Sequence, residues 1–136
     1  MHVLIDTNVI LDVLEKREPF YRASNDVLSL CASKKIHGFI AFHSVSNIFY
    51  ILRKRYSAEE RRHLLLGILK FLQVANVNHE NVQHALERDD FSDFEDCLQD
   101  ECAAQYHAEY IITRNTNDFS TSNIPAITPS DMLSRI

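Results

Sequence analysis

The sequence predicts an α/β fold, a three-layer α/β/α sandwich around a central, mainly parallel sheet of four or five strands. Short apolar runs rich in β-branched residues alternate with segments in which apolar residues recur at helical spacing. With only 2 Gly and 3 Pro, the chain has too few turn residues for a β-sandwich or barrel. Its 136 residues are the usual size of one domain, which we expect to span residues 1–136.

Two strands and four helices are predicted in the first half of the chain. The continuous apolar run at its start is typical of a strand buried on both faces. Val45, Ile48 and Leu52 show the clearest helical spacing, and Ser57 with Glu60 forms a capping box. In order, we predict a strand at 3–5, helices at 9–18 and 20–33, a strand at 38–42, and helices at 44–55 and 57–72.

The second half is predicted to add three helices and two or three strands. Ser92 and Glu95 form a second capping box, and we expect the helix that follows to turn Phe94 toward the core. Thr128 is typical of an N-cap, with Pro129 at the first helical position. In order, we predict a strand at 74–77, helices at 80–87 and 92–107, a strand at 110–113, a further strand at 124–127 and a last helix from 129.

Polar side chains from four segments are expected to meet at one edge of this sheet. In open α/β sheets the ligand crevice lies outside the carboxyl ends of the strands. Asp6 ends the first strand, Asn47 lies in the first helical turns after the second, and the helix from 92 starts at the same edge. The residues predicted to converge are Asp6, Asn47, Asp93, Asp96, Thr113, Asn115 and Asp118.

Such a cluster of acids favours a divalent cation. Unpaired carboxylates within ~4 Å repel by several kcal/mol at an effective dielectric near 20, unless they are protonated, salt-bridged or neutralised. Mg²⁺ prefers oxygen ligands and is commonly held by one or two carboxylates together with a substrate phosphate. The pattern therefore predicts a magnesium site suited to metal-assisted phosphoryl chemistry.

Each acid also has a simpler interpretation on its own. Asp6 alone is typical of an N-cap, Asp93 of a charge that complements a helix dipole, and Asp118 of a turn residue. It is their convergence that favours a shared site. Asp100 and Glu101 lie outside this cluster and are expected to be solvated. Asp12 is expected either to face solvent or to contact a local partner.

The charge balance initially argues against a nucleic-acid partner. The chain has 14 Lys and Arg against 19 Asp and Glu, a net charge of −5, whereas phosphate backbones are usually met by excess basic residues. Half of the basic residues are nevertheless clustered. Arg53, Lys54 and Arg55 either complement a helix dipole or contact an RNA backbone, with Tyr50 or Tyr56 available for stacking.

Several other kinds of site are disfavoured. The seven His form no HxxxH pair, and no Gly-rich phosphate loop or Gly-x-Ser-x-Gly motif is present. The three cysteines are too few and scattered for a disulfide framework, so we expect small buried apolar groups. The longest apolar stretch, 64–69, is far shorter than the ~20 residues of a membrane span. With no visible signal peptide, we expect a cytoplasmic protein without a membrane partner.

Four segments together resemble the PIN domain family. They are MHVLIDTNVILD at 1–12, DFEDCLQ at 93–99, IITRNTNDF at 111–119 and IPAITP at 124–129. The resemblance follows the family's order over essentially the whole chain. It implies an α/β/α fold and an Mg²⁺- or Mn²⁺-dependent ribonuclease similar to the toxin half of small bacterial toxin–antitoxin pairs, with an antitoxin protein as a partner.

The resemblance also implies roles for individual residues. The first acid of the family falls on Asp6, with Thr7 and Asn8 supporting it, and the third falls on Asp96. Two positions depart from the family pattern. Asn47 replaces the usual Glu and Asn115 replaces the usual Asp, so metal binding should be weakened unless Asp118, Asp93 or Glu95 contributes.

The leading hypothesis is a metal-dependent endoribonuclease. Asp6 and Asp96, with Asp118, would hold Mg²⁺ or Mn²⁺, so that a metal-bound water attacks RNA. Asn47 and Asn115 would complete or orient the shell, with Asp93 and Thr113 in support. The alternative is a catalytically weak module that binds RNA or a partner protein. A phosphatase with Asp6 as nucleophile is a third candidate, but Asn8 occupies the position of the acid/base carboxylate that it would need.

A homodimer is also expected. PIN domains often dimerise, and the predicted helix at 57–72 carries more apolar surface between Leu64 and Leu72 than one buried face requires.

Overall fold

A five-stranded, all-parallel sheet forms the centre of the molecule. The computed structural model describes every residue from 1 to 136. The strands are β1 (His2–Ile5), β2 (His37–Ala41), β3 (Leu72–Ala75), β4 (Tyr110–Ile112) and β5 (Ala126–Ile127). They are arranged in the order β3-β2-β1-β4-β5, and all four neighbouring pairs are parallel. The predicted α/β class is confirmed, with five strands in the sheet.

Seven helices cover the two faces of this sheet. They are α1 (Thr7–Leu14), α2 (Tyr21–Ala32), α3 (Phe42–Ile51), α4 (Ala58–Ile68), α5 (His79–Glu87), α6 (Phe94–Gln105) and α7 (Pro129–Ser134). Short 3-10 turns follow α3 at Leu52–Lys54 and β4 at Thr116–Phe119. Ser57 begins α4 with a full capping box, and Thr128 caps α7 with Pro129 at its start, as predicted.

Two hydrophobic cores separate the layers because strand side chains alternate between the faces of the sheet. Val3 and Ile5 of β1 are fully buried in the larger core, against apolar residues of α1, α2, α3, α4 and α7. Leu4 points to the smaller core, which contains Cys102 and Ala103 of α6. Central strands buried on both faces explain why their sequences read as continuous apolar runs.

Local differences from the predictions lie at element ends. Leu72 belongs to β3 rather than to the preceding helix. The cap of α6 is Asp93, whose carboxylate accepts from the Asp96 amide at 3.1 Å, so the prediction of Ser92 as the cap was wrong. Phe94 was expected in the core but is 43% exposed. As the first residue of α6, it precedes the part of the helix that packs on the sheet.

Three acids expected to be solvated are buried instead. Asp12 and Asp100 are fully buried and Glu101 is 6% exposed. Arg114 Nε donates to Asp12 at 2.7 Å, while Arg88 Nη1 lies 2.9 Å from both Asp100 and Glu101. A buried carboxylate requires a partner, and here arginines from other elements supply it. The prediction that these acids are solvated was therefore wrong, whereas the alternative given for Asp12, a partner side chain, is found in Arg114.

The three cysteines are free and buried, as predicted. Burial raises the pKa of Cys31 and Cys102 to about 12, which keeps both thiols protonated and unreactive. None of the seven helices has the length and apolar character needed to cross a bilayer.

Candidate active site

An open cleft of about 690 Å³ lies at the carboxyl ends of the strands. Eleven of its 14 lining residues are polar or acidic, and none is Lys or Arg. Eight of the predicted catalytic and supporting residues line it, namely Asp6, Thr7, Asn8, Asn47, Asp93, Asp96, Asn115 and Asp118, together with Glu95 and Tyr50. Thr113 lies behind Asp6, while Arg53, Lys54 and Arg55 lie beyond the lining residues, at the end of α3.

Four chain segments bring these side chains together. Asp6 ends β1 and caps α1, and Asn47 is on α3, which follows β2 directly. Asp93 and Asp96 occupy the start of α6. Asn115 and Asp118 lie before and in the 3-10 turn after β4, so all four segments reach the same edge of the sheet.

Asp6 is held in one orientation by three hydrogen bonds. Its Oδ1 accepts from the Thr7 amide at 2.7 Å and from Gln99 Nε2 at 2.6 Å. Its Oδ2 accepts from the Thr113 hydroxyl at 2.7 Å, and that hydroxyl in turn accepts from the Asn115 amide at 3.1 Å. Because Asp6 is only 6% exposed, these donors offset the cost of burying its carboxylate.

The carboxylate of Asp96, unlike that of Asp6, accepts no hydrogen bond that stabilises its charge. Burial, followed by repulsion from Asp6, Asp93, Asp118 and Glu95, raises the pKa of its carboxyl to about 7. No neighbouring donor offsets these effects. The carboxylate is therefore available to a ligand that brings positive charge.

Sequence reasoning did not assign Gln99 a place in the site. It lies one turn after Asp96 on α6, is 3% exposed and donates to Asp6, while its own Oε1 is buried without a partner. The signal that could have found it was its i, i+3 spacing from Asp96, which places both side chains on one face of the helix.

A second contact missed in the sequence pairs Asn47 with Glu95. Asn47 Nδ2 donates to Glu95 Oε2 at 2.9 Å, so the amide holds this carboxylate at the cleft. His43 Nε2 lies 3.1 Å from Glu95 O, and burial lowers the pKa of this imidazole. His43 is therefore mainly neutral at physiological pH and does not offset the acidic charge of the cleft.

The sequence profile of the PIN domain matches residues 2–117 of the chain. The chain belongs to the PIN domain family. Members of this family are generally nucleases. The resemblance to this family is thus confirmed. Among curated protein sequences, none matches the chain.

Solved structures share this PIN fold at low sequence identity. VapBC2 from Rickettsia felis, bound to a promoter DNA fragment, superposes with a TM-score of 0.70 at 16% identity, over 94% of this chain and 98% of that one. A toxin–antitoxin complex from Klebsiella pneumoniae superposes with a TM-score of 0.69 at 23% identity, over 93% of this chain and 97% of that one. VapC20 from Mycobacterium tuberculosis, described as a sarcin–ricin loop cleaving toxin, superposes with a TM-score of 0.69 at 16% identity, over 90% of this chain and 95% of that one. At these identities the likeness concerns the fold.

The donor set of this PIN domain fits a hydrated divalent cation. The cleft offers carboxylate and amide oxygens without His or Cys, and no three acidic, His or Cys side chains converge closely enough to enclose an ion. Mg²⁺ usually retains several waters and takes one or two protein carboxylates, so a closed cage is not required. Asp96, with its unmatched charge, is the residue best placed to hold such an ion, and Asp6 and Asp118 line the same space.

Asp96 should make the stability of this PIN domain depend on pH. Because its pKa is raised, the folded state retains a proton that the unfolded state has lost between about pH 4 and pH 7, so stability falls as pH rises through this window. Asp96→Asn should remove this dependence. In metal-free buffer, we expect the melting temperature of the variant to exceed that of the wild type by a few degrees at about pH 8 and by less at about pH 5.

Asp26→Asn is the matched control, because Asp26 is exposed on α2 and lies outside the cleft. It should follow the wild-type curve. Parallel curves for the wild type and Asp96→Asn would contradict the raised pKa.

Proposed function

We propose that this PIN domain is a metal-dependent endoribonuclease that hydrolyses RNA phosphodiester bonds. One observation carries the proposal. Asp6, fixed by three donors, and Asp96, whose pKa is raised to about 7 without a matching donor, face one cleft that contains no basic side chain. That arrangement favours an added cation, and a divalent cation also attracts a phosphodiester.

The residues would divide the work as follows. Asp6, Asp96 and Asp118 would hold Mg²⁺ or Mn²⁺, one or two of them directly and the rest through its waters, while the amides of Asn47 and Asn115 would complete or orient the shell. When bound, the cation supplies Lewis acidity that activates water and offsets charge developing on the phosphodiester. Thr7, Asp93 and Thr113 would support the acids through the hydrogen bonds and cap described above. Asn8 would support them through Thr113, since its Nδ2 lies 3.5 Å from the Thr113 hydroxyl oxygen. Arg53, Lys54 and Arg55 would contact RNA phosphates.

We further propose that the protein acts in the cytoplasm as the toxin of a toxin–antitoxin pair, as a homodimer that also binds an antitoxin. The support is the fold, which it shares with components of toxin–antitoxin complexes such as those from Rickettsia felis and Klebsiella pneumoniae. The gene beside its own provides a direct check, because an antitoxin is expected there.

The central experiment is an RNA cleavage assay with and without divalent cation. Cleavage should require Mg²⁺ or Mn²⁺ and stop on chelation. Asp96→Asn should reduce the rate by at least about 100-fold, since the loss of several kcal/mol of metal-derived stabilisation corresponds to that factor or more. Asp26→Asn should cleave as the wild type does. Undiminished cleavage by Asp96→Asn, or equal cleavage in chelator, would refute the proposal.

A second candidate is a catalytically weak PIN module that binds RNA or a partner protein. It is favoured by the two amides, Asn47 and Asn115, at positions where the family resemblance implies acids. Calorimetry separates the two candidates. Millimolar Mg²⁺ or Mn²⁺ that fails to bind, while RNA still binds, would favour the weak module.

A further inference from the structure

Two residues of α3 contact Glu95 in the first turn of α6. Asn47 Nδ2 donates to Glu95 Oε2 at 2.9 Å, and His43 Nε2 lies 3.1 Å from the backbone oxygen of Glu95. His43 and Asn47 are four residues apart on α3 and therefore share one face of that helix. Because α3 contacts both the main chain and the side chain of Glu95, it fixes this carboxylate at the wall of the cleft.

We propose that Glu95 supplies the acid that the family resemblance implies at position 47, and that Asn47 acts as the positioning residue for it. The inference rests on the proposed function, because it adds a residue to the site that would hold Mg²⁺ or Mn²⁺. Asn47 and Glu95 together carry one negative charge, as a glutamate at 47 would beside a neutral residue at 95. The charge of the cleft is thus conserved, and only the helix that supplies it differs.

The Glu95 carboxylate keeps one oxygen available to a cation. Its Oε2 accepts from Asn47, whereas its Oε1 accepts no hydrogen bond from the protein. No Lys, Arg or His side chain forms an ion pair with it. The carboxylate is therefore oriented by a neutral amide, and its charge remains unpaired. Mg²⁺ usually retains several waters, so Glu95 can act on the ion through one of these while it lines the cleft beside Asp96.

The contact with Asn47 selects Glu95 among the acids that could compensate for the missing glutamate. An acid in the first turn of a helix is ordinarily explained by the helix dipole, which requires no partner from another helix. Asp93 Oδ1 already accepts from the Asp96 amide at 3.1 Å, as the cap of α6. Asp118 lies in the 3-10 turn after β4 and receives no hydrogen bond from α3. Glu95 alone is bound by the side chain at position 47.

Moving the carboxylate from α6 to α3 provides a direct test. Free Mn²⁺, measured by electron paramagnetic resonance in the presence of the protein without RNA, gives the cation affinity. Glu95→Gln should weaken Mn²⁺ binding about tenfold, as the loss of a group around a metal site commonly does. Asn47→Glu combined with Glu95→Gln should restore the wild-type affinity, because carboxylate and amide then exchange places and can keep their hydrogen bond. Asn47→Ala, which retains the acid without its donor, should weaken binding less than Glu95→Gln.

Glu109→Gln is the matched control, because Glu109 is exposed and precedes β4 at the opposite edge of the sheet, and it should bind Mn²⁺ as the wild type does. Thermal melting in metal-free buffer should show Glu95→Gln to be as stable as the wild type, so that weaker binding does not reflect unfolding.

The outcomes separate this inference from the proposed function. Equal Mn²⁺ affinity of the wild type and Glu95→Gln, or an exchanged variant that binds as weakly as Glu95→Gln, would overturn the inference even if the wild type cleaves RNA. Weaker binding by Glu95→Gln that the exchange restores, with no RNA cleavage by the wild type, would support the inference and overturn the proposed catalysis. A wild-type protein that binds no Mn²⁺ would overturn both.

Discussion

Asp6→Asn is expected to abolish RNA cleavage and to destabilise the fold, a combination that Asp96→Asn should not show. The loss of activity should be at least about 1000-fold, because a metal ligand contributes several kcal/mol to the transition state and each 1.4 kcal/mol is a factor of about ten. The loss of stability follows from the hydrogen bonds that Asp6 accepts. An asparagine offers one acceptor oxygen where the carboxylate offers two.

The Thr113 hydroxyl explains why Asp6→Asn should lower the stability of the fold and Asp96→Asn should not. It donates to Asp6 Oδ2 and already accepts from the Asn115 amide. In the Asp6→Asn variant, the Thr113 hydroxyl would face the side-chain NH₂ group, and its proton would have no acceptor. Such an unsatisfied buried group lowers the free energy of unfolding by about 1–3 kcal/mol. Asp96 has no comparable set of donors, so its replacement removes repulsion without orphaning a partner.

Urea unfolding and cleavage rates in Mn²⁺, measured on both variants, would test this contrast. Asp26→Asn serves as the control for both measurements. The anchoring role assigned to Asp6 would be contradicted by an Asp6→Asn protein as stable as the wild type, and the catalytic role by one that cleaves RNA at the wild-type rate.

Arg88→Met should cause the largest loss of stability, about 3–5 kcal/mol, by leaving buried carboxylates without their cation. The Arg88 side chain is 9% exposed and its Nη1 lies 2.9 Å from Asp100 and from Glu101. Two hydrogen bonds to Asp90, of 3.0 and 3.1 Å, complete its contacts. Domains of this kind are stable by about 5–15 kcal/mol in total, so the loss would be a large part of it.

Two further variants distinguish the loss of charge pairing from the loss of packing as the cause of the destabilisation by Arg88→Met. Arg22→Met, on the exposed side of α2, should change the unfolding free energy by less than about 0.5 kcal/mol. Adding Asp100→Asn and Glu101→Gln to Arg88→Met should recover part of the loss, because no buried charge then remains unpaired. If the loss at acidic pH equalled the loss at neutral pH, it would reflect packing and not the carboxylates.

The fold could be predicted because its signals are local. Alternation of apolar runs with helical spacing located the strands, and the caps at Ser57 and Thr128 marked two helix starts. Parallel strands end at one edge, so the positions of Asp6 and Asn47 after successive strands were enough to place both at the cleft.

Contacts between distant residues could not be predicted in the same way. The ion pair of Asp12 with Arg114 joins positions 102 residues apart, and no periodicity in a single sequence encodes such a pairing. Asp100 was misjudged for the same reason, since its partners include Arg88 and the amides of Asn123 and Ile124. Gln99 was missed because a glutamine carries no charge that draws attention to it.

The excess of acidic over basic residues in the chain equals the number of acids that line the cleft. Five of the 19 acidic residues line it, namely Asp6, Asp93, Glu95, Asp96 and Asp118, and the remaining 14 equal the 14 Lys and Arg. The molecule is thus electrically neutral outside a single anionic pole. A divalent cation bound there would neutralise two of its five charges, and an approaching polyanion would then meet no long-range repulsion from the rest of the surface.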